Sequence, residues 1–93
     1  MDKKNFKVYV IGYKNPKNKN TDYIKTILKA HNFDLCEHVE ISDFILDTGE
    51  FSNEEENRKV LAYAEMDYIE VARNLHDLLK LREQAKLYEY QEV

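Results

Sequence analysis

A chain of 93 residues with 43% hydrophobic and 34% charged side chains, two Gly and one Pro has the composition of an ordered domain, not of a disordered tract. One cysteine, Cys36, excludes an internal disulfide framework. No stretch approaches the roughly 18 apolar residues that span a bilayer, and the opening MDKKNFKVYV lacks the apolar core of a signal peptide.

One domain over residues 1–93, in the reducing cytoplasm and off the membrane, is therefore expected. Its formal net charge of −4 is unevenly spread. Residues 1–31 carry eight Lys against Asp2 and Asp22, a balance of +6. Residues 32–93 carry six Lys and Arg against sixteen acids, a balance of −10. Such asymmetry marks candidate contact surfaces of opposite sign. The many Lys and Asn codons suit an AT-rich genome, such as that of a low-GC bacterium or a phage.

The first predicted element is a strand over 6–13, FKVYVIGY, with Phe6, Val8 and Val10 on one face and Tyr9, Ile11 and Tyr13 on the other. Apolar residues on both faces predict a strand covered on both sides. A loop follows over 14–20, where Pro16 cannot donate to a ladder. Asn20 or Thr21 then caps a helix whose Tyr23, Ile24, Ile27, Leu28 and His31 keep helical spacing, with Asn32 as its C′ stop. Residues 35–47 are rich in β-formers, but their buried parity changes near Ser42 and Asp43. That predicts one bent strand or two short ones.

Residues 47–50, DTGE, signal a turn, and Ser52 with Glu55 matches a capping box. From there to about Lys86 no Gly or Pro interrupts a helical pattern, which predicts one helix of roughly 30 residues, about 45 Å long. These elements make an α+β domain, a small single layer of two or three strands packed with one short and one long C-terminal helix. A rod of that length outreaches so small a domain, so its apolar stripe is expected to meet a second copy. Leu61, Tyr68, Val71, Leu75 and Leu78 carry that homodimer contact.

The candidate chemistry is sparse. Lys14, Lys17 and Lys19 sit between a strand and a helix, where backbone N–H groups hold anions, and Lys25 lies just beyond. They form a candidate site for an anion, a nucleotide or a nucleic acid, although neither a P-loop nor G-x-G-x-x-G is present. Cys36, His38 and Glu40 are all zinc-ligand types and alternate along a predicted strand, but no second ligand pair exists, so neither metal nor cofactor is expected. No G-x-S-x-G or H-E-x-x-H occurs, and an enzyme is only a second alternative. Asp47, Glu50, Glu54, Glu55 and Glu56 run from the turn into the long helix and make an acidic face. The leading expectation is thus a small acidic protein that regulates or inhibits another protein by contact through these acids.

Overall fold

The computed structural model describes residues 5–13, 21–49 and 54–91. In chain order they form β1 (Phe6–Val10), α1 (Thr21–Ala30), β2 (Phe33–Leu35), a 3-10 turn (Val39–Ile41), β3 (Phe44–Leu46), α2 (Glu54–Asp67), β4 (Glu70–Ala72) and α3 (Leu75–Gln91). The expected mixture of helix and strand is present. The sheet, however, has four strands in the order β2-β1-β3-β4, every pair parallel.

β1 is central because both its faces are apolar. Val8 and Val10 pack with Ile24 and Leu28 of α1, Phe44 and Leu46 of β3, and Leu78 of α3. Tyr9 and Ile11 face the other way, against Ile45 of β3 and Val60 and Ala64 of α2. The predicted parity thus holds from Phe6 to Ile11 but not at Tyr13, which returns to the first face. The turn at Gly12 (φ 84) causes this: Tyr13 N–H donates to Val10 O at 3.2 Å, a tight turn whose third position favours glycine.

The helices divide as connection geometry requires. β1 to β2 steps one way across the sheet and β3 to β4 steps the other. Right-handed crossovers in opposite directions put their helices on opposite faces, and α1 and α2 do lie on opposite faces. α3 returns to the face of α1. The α1 stop falls where expected, with Asn32 at φ 64.

Of the two alternatives for residues 35–47, two short strands is what forms: β2, which begins earlier at Phe33, and β3 are separate, non-adjacent strands with β1 between them. The predicted long helix to Lys86 is corrected, because it is not continuous. α2 ends at Asp67, Tyr68 takes a left-handed φ of 57, and Ile69 N–H donates to Ala64 O at 2.9 Å. This is the helix-ending Schellman bond, and Ile69 then packs on the α2 face with Ala64 and Val60. β4 follows, in register with β3 from Phe44–Glu70 to Leu46–Ala72. Asn74 Oδ1 accepts Asp77 N–H at 2.8 Å and caps α3. Burial of Val71 and Ala72 on opposite faces, plus a strand edge for β3, outweighs local helix propensity. Among the described residues no helix is long and apolar enough to cross a membrane.

Candidate functional site

The carboxyl ends of β1, β3 and β4 carry two structural carboxylates. Glu56 of α2 accepts the Tyr9 hydroxyl at 2.7 Å and the Gly12 N–H at 3.1 Å. Burial, then the Glu56 hydrogen bond and charge, hold the Tyr9 phenol well above its ordinary pKa. This carboxylate takes a backbone N–H that an anion could otherwise use after β1. Asp47 is 5% exposed; its Oδ1 accepts Gly49 N–H at 3.2 Å and its Oδ2 accepts Arg73 Nη1 at 2.9 Å. Asp47 N–H meanwhile donates to Ala72 O at 2.9 Å, so the turn after β3 is tied to the end of β4.

These contacts draw two of the five predicted acids away from an exposed acidic face. Asp47 and Glu56 are turned inward, while Glu55 is exposed and pairs with Lys59 at 3.4 Å, a surface contact of small worth. Glu54 opens α2, and Glu50 lies outside the described residues. Lys14, Lys17 and Lys19 also lie outside them; Lys25 is exposed on α1. The predicted self-association stripe is dispersed once the helix is broken. Leu61 is half-buried on α2, Val71 sits in β4, and Leu75 and Leu78 belong to α3, with Leu78 wholly inside the core. Tyr68 alone of the five is exposed.

The Cys36, His38 and Glu40 alternation is lost because β2 ends at Leu35. Cys36 is buried and donates its thiol to His38 O at 3.6 Å, and burial pushes its pKa up. That is the environment of an inert thiol. Among the described residues no group of three His, Cys, Asp or Glu is placed to hold a metal ion.

The opposite, amino-terminal edge of the sheet has a different character. β3 and β4 start level with one another, so residues 41–43 and 67–69 enter side by side. Tyr68 is 92% exposed, Met66 79% and Ile41, in the 3-10 turn, 53%. Glu40, Glu65, Asp67 and Glu70 of the same segments are exposed. The Tyr63 hydroxyl donates to Asp67, and this bond, with Glu40 contributing at longer range, raises the Tyr63 pKa. Exposed large apolar side chains and exposed acids are thus carried by the segments at this one edge of the sheet, the Tyr68 platform. These residues fall in the stretch EMDYIEV, whose composition is compatible with an unbroken helix.

Compared with known proteins, the chain matches no family model, and no curated protein or solved structure is significantly similar to it.

Proposed function

We propose that this is a non-catalytic acidic binding protein of the cytoplasm, a regulator or inhibitor that acts by contact with another protein, and that the contact is made by the end of α2. The observation that carries this reading is Tyr68. A bulky residue at φ 57 is held in a conformation that costs about 1–2 kcal/mol relative to right-handed geometry, and at 92% exposure its ring recovers little of that by packing. Gly or Asn would end the helix more cheaply. A partner is the natural recipient of such a ring, since interface anchors are enriched in tyrosine.

Glu40, Glu65, Asp67 and Glu70 of the same segments favour a basic partner surface, one that itself takes an acidic ligand. A second copy docked through the same patch would oppose like charges, so a different protein fits better than a homodimer here. The buried thiol and the internally paired Asp47 and Glu56 support binding over catalysis.

The test compares immobilised wild-type protein with Tyr68→Gly, followed by titration calorimetry on whatever is retained. A basic protein held by the wild type and bound at least tenfold more weakly by Tyr68→Gly and by a Glu65→Lys, Glu70→Lys double variant supports the reading. Equal affinity for all three forms overturns it.

A further inference from the structure

We propose that a cleft between α1 and the start of α3 binds a small organic carboxylate with a short apolar tail. This site is separate from the Tyr68 platform and lies at the other edge of the sheet.

The position follows from topology. Where strand order reverses in a parallel sheet, the connections diverge and leave a crevice at the carboxyl ends of the strands. The reversal here falls between β1 and β3. On the α1 face beside it is a cleft of about 310 Å³, floored by Ile24, Ile27, Leu46 and Leu75. That volume is at the small end of ligand sites, room for a compact molecule and not for a nucleotide.

The rim sets the chemistry. Tyr23, Thr48, Arg73 and Asn74 line it, and among the described residues Arg73 carries the only full charge in the lining. Arg73 is two-thirds exposed, yet Asp47 grips its Nη1 at 2.9 Å. A guanidinium pinned on one nitrogen presents its remaining N–H groups in a fixed plane, and a carboxylate is the planar acceptor that matches it. Asn74 caps α3 immediately behind, so the positive end of that 17-residue helix faces the same mouth. The apolar floor supplies the second half of the recognition: a tail burying there gains about 0.8 kcal/mol per methylene.

Asp47 also neutralises the cation it positions. Recognition therefore rests on directed hydrogen bonds at short range, and affinity should depend only weakly on salt. Anion capture by exposed surface lysines behaves in the opposite way.

The experiment titrates labelled full-length protein with hexanoate, hexanamide and inorganic phosphate, followed by amide and Arg side-chain NMR. Hexanoate should shift Thr48, Arg73 Nε, Asn74 and Leu75 saturably, with a Kd on the order of 1 mM given the efficiency ceiling for so small a ligand. Hexanamide, lacking the carboxylate, and phosphate, lacking the tail, should each bind at least tenfold more weakly. Arg73→Lys keeps the charge and the pairing partner for Asp47 but loses the fork, and should weaken hexanoate at least tenfold. Tyr68→Gly should bind hexanoate as the wild type does, which separates this site from the protein-binding platform. Equal binding of hexanoate and hexanamide, undiminished binding by Arg73→Lys, or no saturable shift at these four residues overturns the proposal.

Discussion

The Tyr9 hydroxyl lies 2.7 Å from Glu56 Oε1, joining the central strand to the first turns of α2 across 47 positions of sequence. Ionising that phenol would set a second negative charge beside the Glu56 carboxylate in a half-buried site, so its pKa is held far above 10.0. The unfolded chain keeps the ordinary value. Neutral Tyr9 therefore contributes stability that is fully present below about pH 10 and is lost progressively as pH rises beyond it. Urea unfolding at a series of pH values from 7 upward should show wild-type stability falling more steeply above pH 10 than that of Tyr9→Phe. At neutral pH the same variant should cost about 1 kcal/mol for the lost hydrogen bond. Parallel alkaline profiles for the two proteins would show that the contact does not form.

Tyr68 makes a prediction about stability that is independent of any partner. Glycine adopts a left-handed φ without the Cβ clash, although it loses more chain entropy on folding. The balance should make Tyr68→Gly more stable than wild type by about 0.5–1 kcal/mol, read as a rise in urea midpoint at unchanged m-value. A fall in midpoint would mean that the ring packs in the isolated protein, and the platform would lose its main argument.

How much of this was legible in the sequence depends on how local each feature is. β1 was readable because its two-faced apolar pattern is a property of consecutive residues, Phe6 to Ile11. The Asn32 stop was readable because asparagine tolerates the left-handed region. The break at Tyr68 was not, since tyrosine gives no such warning and β4 spans only Glu70–Ala72. A signal was nonetheless present: Asn74 followed three residues later by Asp77 is a helix start inside the supposed helix. The inward turn of Asp47 could not be read at all, because its partner Arg73 is 26 residues away. The placement of Arg82 is equally non-local: its guanidinium lies 4.5 Å over the Phe33 ring and donates to His31 O at the end of α1.

The Asn74 cap can be tested directly. Its side chain satisfies a first-turn N–H of α3, and that helix supplies Leu78 to the core. Asn74→Ala should lower stability by about 1 kcal/mol, whereas Asn74→Asp or Asn74→Ser should retain most of it. Circular dichroism of the alanine variant should keep the helical signal at low temperature, because Leu78 and its neighbours hold α3 in place. Equal stability of the alanine and serine variants would argue for one continuous helix through this segment.

Cys36 offers a chemical probe of the same sheet. Its backbone N–H continues the ladder by donating to Val8 O at 2.9 Å, its side chain is 8% exposed, and its thiol donates to His38 O. Burial raises the thiol pKa, so at pH 8 less thiolate exists than on the unfolded chain, and access is restricted as well. Alkylation by iodoacetamide at pH 8 should therefore run at least about 100-fold more slowly in the native protein than in 8 M urea, with the native rate limited by opening of β2. Since β2 is an outer strand held on one side only, Phe33→Ala should speed native alkylation by removing a fully buried anchor shared with α1 and α3. A native rate equal to the urea rate would place Cys36 at the surface, detach β2 from β1 and leave the sheet with three strands.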